Sequence, residues 1–144
     1  MKSQGFTLVE LLVALAIFAI ISALAIPQYT AFTERGFRSE VTSDLLNCAQ
    51  AMERFNATNF TYVGTNPGGD DTALDGGICA PLSAPSGRYA ITAVTTANTF
   101  VLTATPAGSM AGTGVITLDQ IGNRTWDENN DGAISGTEGD WEEG

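Results

Sequence analysis

The feature that most constrains this chain is the apolar run opening at Phe6, because from there to Ile26 only Glu10 carries a charge. A helix over this stretch, rising about 1.5 Å per residue, covers roughly 30 Å of hydrocarbon and can span a bilayer. In a secretory signal the small cleavage residue follows the apolar region, whereas here Gly5 precedes it, so cutting at Gly5 frees a short leader and keeps the helix. The lone carboxylate is informative as well. An acidic side chain at the centre of a membrane helix costs on the order of 2.5–3.5 kcal/mol and marks function; near the helix end the cost is smaller.

The string Gly5-Phe6-Thr7-Leu8-Val9-Glu10-Leu11-Leu12 resembles the prepilin peptidase motif of the type IV pilin and pseudopilin superfamily, and Pro27 stands where that family has its helix-bending proline. Leu45-Leu46-Asn47-Cys48-Ala49-Gln50-Ala51-Met52-Glu53-Arg54-Phe55, with Thr61-Tyr62 after it, is most similar to the PilE-like pilins. The resemblance implies cleavage after Gly5 by the prepilin peptidase, N-methylation of Phe6, and storage in the bacterial inner membrane. It further implies export by the pilus assembly machinery into an extracellular helical filament of identical subunits. It assigns Glu10 to assembly, through pairing with the terminal amine of a neighbouring subunit, and Pro27 to the shape of the helix. The leading functional reading is a structural pilus subunit. The alternatives are a pseudopilin of type II secretion and a monomeric, membrane-anchored calcium-binding module.

Composition narrows the function further. Net charge is −10, and beyond Lys2 the basic residues are Arg35, Arg38, Arg54, Arg88 and Arg124, so the subunit is not expected to bind nucleic acid. The sequence has no histidine, no phosphate-cradling glycine loop beside a lysine and no paired carboxylates placed by regular structure, so an enzyme is not expected. Lys2, the only charge before the apolar run, favours a cytoplasmic N-terminus with the acidic body outside. In that compartment the two cysteines, Cys48 and Cys79, read as a disulfide.

The helix signal continues past Pro27 with an amphipathic character. Val41, Leu45, Cys48, Met52 and Phe55 recur at alternating spacings of four and three, which draws one apolar stripe. One long helix over 6–58 follows, with a membrane or filament-core half at 6–32 and a bend or local unwinding at Pro27. Residues 59–87, rich in Thr, Asn, Gly, Asp, Ser and Pro, form a loop that Cys79 ties to the helix. Runs at 88–94 and 99–105 alternate and are β-branched, giving a hairpin, and 114–121 adds a third strand. The fold class is therefore α+β: an apolar helical half protruding, and an amphipathic half packed on an antiparallel sheet of three or more strands. The head spans 59–144, with the sheet at 88–121 and a distinct tail at 122–144.

Seven of the sixteen acidic residues lie in 127–144, a stretch without Lys or Arg that would otherwise read as a solvated tail. The spacing from Asp127 to Glu138 instead fills the twelve-residue calcium pattern, with Asp127, Asn129, Asp131, Gly132 and Glu138 at the required places. The oxygen donors would be the side chains of Asp127, Asn129 and Asp131, the Ala133 carbonyl, Ser135 directly or through water, and both Glu138 oxygens. Neither flank reads as a helix, so the expectation is an EF-hand-like loop holding structural calcium. Many members of the resembled family close this region with a disulfide, and here no cysteine follows Cys79.

Overall fold

The computed structural model describes residues 6–65, 78–79, 87–133, 138–139 and 141. Gly5, Ser135 and most of the expected loop (66–77 and 80–86) lie outside the described residues. The chain divides into two compact units, Met1–Arg35 and Gly36–Gly144.

Helix α1 (Leu8–Asn59) runs without interruption through Pro27. Of the bend or local unwinding expected there, the unwinding does not occur: Pro27 lacks the amide that would bond the Ala23 carbonyl, and the helix continues on either side. In the first unit every residue from Phe6 to Ile21 is exposed, including Leu8, Leu12, Leu15 and Phe18. Among the described residues α1 is the one helix long and apolar enough to cross a membrane.

In the second unit the stripe lands as its spacing demands. Val41, Leu45, Cys48 and Met52 are buried, while Phe55, nearer the helix end, is only half-buried. They meet the inward positions of a four-stranded antiparallel sheet in the order β1 (Tyr89–Thr95), β2 (Phe100–Pro106), β3 (Ile116–Asp119), β4 (Arg124–Trp126). Register is set by alternation: Ile91 faces Ala104 and Ala93 faces Leu102 across the hairpin, Leu102 pairs with Leu118, and Ile116 with Trp126. These residues, with Phe100, Met110 and Tyr62, complete one core. The Cys48–Cys79 disulfide is formed and ties residue 79 to the buried face of α1.

The third strand is shorter than the expected 114–121, and a fourth continues from it. The cause is Asp119, whose Oδ1 accepts the amides of Ile121 (3.0 Å) and Asn123 (2.9 Å) while Oδ2 accepts the Asn123 side-chain amide (2.8 Å). Such an Asp side chain supplies the turn that reverses the chain, and Gly122 follows with φ +86°. Ile121, expected in the strand, therefore sits at the turn, 75 % exposed.

Candidate functional sites

At the start of α1 the lone carboxylate is not bare. The Thr7 amide donates to Glu10 Oε2 (2.8 Å), the Thr7 hydroxyl donates to the same oxygen (2.9 Å), and the Glu10 amide donates to Thr7 Oγ1 (3.3 Å). This reciprocal pair is a capping box that satisfies donors every helix leaves open at its first turn. Its sequence signal is local: a Thr followed three residues later by a Glu. Phe6, whose amine would be freed by cleavage, is 90 % exposed.

The acidic loop grows directly out of β4. Its first residue, Asp127, is 4 % exposed, and the Asp127 amide donates to the Val115 carbonyl (3.0 Å), extending the ladder beyond β3. Gly114 makes that approach possible: with φ +89°, a Cβ there would lie 1.7 Å from the Asp127 carbonyl oxygen. From this anchored start the loop wraps around its own side chains. Asp127 Oδ1 accepts the Asp131 amide (3.1 Å) and Oδ2 the Gly132 amide (2.9 Å); Asn129 Oδ1 accepts the Asp131 amide (2.8 Å) and Asp131 Oδ1 the Ala133 amide (2.8 Å). Asn130 and Gly132 take positive φ, 56° and 84°, which permits the tight turn.

Glu138 returns to this turn, where its Oε1 accepts the Asn129 amide (3.0 Å). One carboxylate oxygen from each of Asp127, Asp131 and Glu138 lies within 4.8 Å of the others. Two oxygens on opposite sides of a calcium ion, each about 2.3–2.6 Å away, stand about 4.6–5.2 Å apart, so the three carboxylates can reach one ion. The donor set is all oxygen, as a hard cation requires. Ser135, the expected ninth-position donor, lies outside the described residues.

Two tryptophans bracket the loop. The Trp126 indole donates to the Thr113 carbonyl (2.9 Å), and the Arg38 guanidinium of α1 lies over its ring, 3.8 Å from the centroid. Trp141 donates to the Thr125 carbonyl (3.1 Å), lies 5.4 Å from the Arg124 guanidinium and packs against the core. Nothing in helical or strand periodicity marks Arg38 or Trp141; only proximity to the calcium pattern could have singled out the second.

Residues 27–115 match the family model described as type IV minor pilin ComP, DNA uptake sequence receptor, and residues 1–26 match the prokaryotic N-terminal methylation motif. Among curated proteins, the type II secretion system core protein G of Klebsiella pneumoniae is 29% identical over 60% of this chain and 59% of its own length. The type IV major pilin protein PilA of Myxococcus xanthus is 37% identical over 42% of this chain and 28% of its own. The type IV wide pilus major component PilA4 of Thermus thermophilus is 36% identical over 43% and 47%. The chain thus spans less than two thirds of the length of these relatives.

Proposed function

Because the chain belongs to the family of the type IV minor pilin ComP and carries the N-terminal methylation motif, we propose that it is cleaved after Gly5, N-methylated at Phe6 and polymerised into an extracellular filament. The family is one of structural pilins and pseudopilins, not enzymes. The observation that carries the proposal is the first unit itself: a capped helix whose large apolar side chains from Leu8 to Phe32 are exposed in the single chain. Such a surface is stable in lipid before assembly and against other copies of the same helix afterwards. Glu10 would exchange its own helix cap for the terminal amine of a neighbour. Mass spectrometry of filaments purified from the native cell tests this. A subunit beginning at N-methylated Phe6 is expected, and an uncleaved Met1 in membranes without filaments would overturn it.

A pseudopilin is the second reading, favoured by the longer match to the secretion protein G sequences. The Cys48–Cys79 disulfide and the PilE-like segment from Leu45 to Phe55 argue for the pilin. Deleting the gene separates them: a pilin's loss removes surface fibres, a pseudopilin's loss blocks secretion.

We further propose that the Asp127–Glu138 loop binds calcium as a structural ion. When bound, the ion neutralises the three facing carboxylates and tethers a C-terminal region that lacks a disulfide of its own. Asp127, Asn129 and Asp131 would present side-chain oxygens, Ala133 its carbonyl, Ser135 a contact either direct or through water, and Glu138 both carboxylate oxygens. A melting temperature higher in calcium than in chelator is expected, with the difference lost in Asp127→Ala; identical melts would refute it. DNA reception, named in the description of ComP, is not proposed for this chain. Its net charge is −10, and the guanidinium groups of Arg38, Arg88 and Arg124 lie over the rings of Trp126, Phe37 and Trp141.

A further inference from the structure

Phe60 combines a backbone conformation that bulky residues avoid with surroundings that an apolar ring avoids. It follows the last residue of α1 with φ +56°, in the left-handed region where Gly or Asn ordinarily ends a helix, and it is 85 % exposed. Strained backbone at an exposed aromatic marks function rather than packing. The chain is fixed on both sides of it. The Phe60 amide donates to the Asn56 carbonyl (2.7 Å), and two residues on the Tyr62 amide donates to the Ala97 carbonyl (3.3 Å) while the Tyr62 ring is buried against Phe100. Phe60 is thus a rigid apolar knob, and Val63, also exposed, lies close behind it in the chain. No charged residue lies between 55 and 65, and the last turn of α1 has no basic residue to answer the partial negative charge of the helix end.

In the same unit, α1 and the sheet leave a groove of about 380 Å³. Leu46, Ala49, Phe100 and Leu118 give it an apolar lining, and Arg54 of α1 and Arg124 of β4 border it. Its carboxylates are already engaged: Glu53 accepts the Tyr62 hydroxyl, and Asp119 closes the turn between β3 and β4. The Arg54 guanidinium meets no carboxylate or ring among the described residues. We propose that Phe60 of one subunit seats in this groove on a second copy of the chain, with Arg54 facing the negative end of the incoming α1. The contact presupposes the filament proposed above and adds to it a named pair of surfaces. Charge selects the occupant. At a net −10 two copies repel over most of their surfaces, whereas here an uncharged tip with a partial negative charge meets a groove that offers a guanidinium. Because knob and groove are different places on the same chain, the contact is head-to-tail and can repeat without closing, as a helical filament requires.

The test uses the full mature chain. Within one subunit, positions 50 and 60 stand roughly 15 Å apart along α1, well past the about 7 Å that a disulfide spans between Cα atoms. Filaments of Phe60→Cys combined with Gln50→Cys, oxidised after assembly and separated without reductant, are therefore expected to give a ladder of dimers, trimers and longer species. Neither single variant should do so. Filaments that form without a ladder would overturn the contact and leave the assembly reading standing. A cross-linked dimer from Phe60→Cys alone would overturn it too, because two tips would then face each other. Phe60→Gly covers the case in which the cysteine pair folds poorly, since it relieves the left-handed backbone while deleting the knob. Its melting temperature in detergent micelles is expected to hold or rise while its filament yield drops by an order of magnitude. Arg54→Gln is expected to lower the yield several-fold. An unmutated yield in Phe60→Gly, or a lowered melt, would also overturn the contact. If the unmutated chain forms no filaments, the assembly reading fails and the contact fails with it.

Discussion

The two units of this chain satisfy their side chains in opposite ways. In residues 6–35 the side-chain hydrogen bonds are local: Thr7 with Glu10, Thr30 to the Pro27 carbonyl, Thr33 to the Thr30 carbonyl and Arg35 to the Ala31 carbonyl. The apolar side chains there are exposed, so this unit is complete as a helix and incomplete as a folded body. In residues 36–144 the contacts are long-range, through a core shared by α1 and four strands and a disulfide joining positions 31 residues apart. A single sequence can therefore carry one part that depends on lipid or on other copies and another that is stable without them. Changes in the first should alter assembly and leave melting untouched, and changes in the core of the second should do the reverse.

The largest effect is expected at Glu10. Glu10→Ala removes the carboxylate from both its own cap and any partner amine, and filament yield should fall below detection by pelleting and electron microscopy. The melting temperature of the detergent-solubilised chain should not move, because Glu10 is exposed and belongs to the first unit, not to the one that holds the core. Filaments at the unmutated level would break the comparison at its strongest point.

Next comes the disulfide. Replacing Cys48 and Cys79 by Ala should destabilise the second unit by roughly 3–4 kcal/mol on the chain-entropy account of a closed loop of this length. The melting transition should drop accordingly and the segment near residue 79 should gain protease sensitivity, while the first helix retains its helical circular dichroism in micelles. An unchanged melt would show that the core alone holds the unit.

Gly114→Ala acts on the loop through backbone alone. The added methyl meets the Asp127 carbonyl oxygen at 1.7 Å in a residue with φ +89°. Because the opposing atom belongs to backbone, the strand end must move, at a cost of about 1–3 kcal/mol. Loss of any calcium dependence in the melt is expected beyond the general destabilisation, since Asp127 is the first of the proposed ligands.

How much of this was legible in the sequence divides along the same line. Regular spacing was easy to read: the stripe at Val41, Leu45, Cys48 and Met52 and the hairpin from β1 to β2 both repeat with the period of their backbone. The Asp127–Glu138 spacing is legible as a pattern of residue types, and the structure brings the carboxylates of Asp127, Asp131 and Glu138 together. The features that escaped depend on contacts between remote positions. β4 exists because one side chain, Asp119, closes a turn; Gly114 matters because residue 127 passes close to it; Arg38 and Trp141 matter because two rings lie where they do. No local period announces any of these. The capping box at Thr7 is the exception, because its signal, Thr followed three residues later by Glu, is local.

The smallest predicted effect concerns Tyr62, which lies at the end of α1 against Phe100, with ring centroids 5.1 Å apart. Burial, reinforced by the nearby Glu53 carboxylate that accepts its hydroxyl (2.9 Å), pushes the phenol above its ordinary value. A group whose folded pKa is raised contributes stability that is complete below the unfolded value, near 10 for tyrosine, and is lost as pH climbs through the folded one. From pH 7 to 9 the two proteins should therefore keep a constant offset, and above pH 10 the melt should fall faster in the unmutated chain than in Tyr62→Phe. At neutral pH the variant loses one half-exposed hydrogen bond, a change of about 1 kcal/mol or less. Parallel alkaline melts of the two proteins would show that Tyr62 does not couple the second unit to pH, and that its core is held by packing alone at that corner.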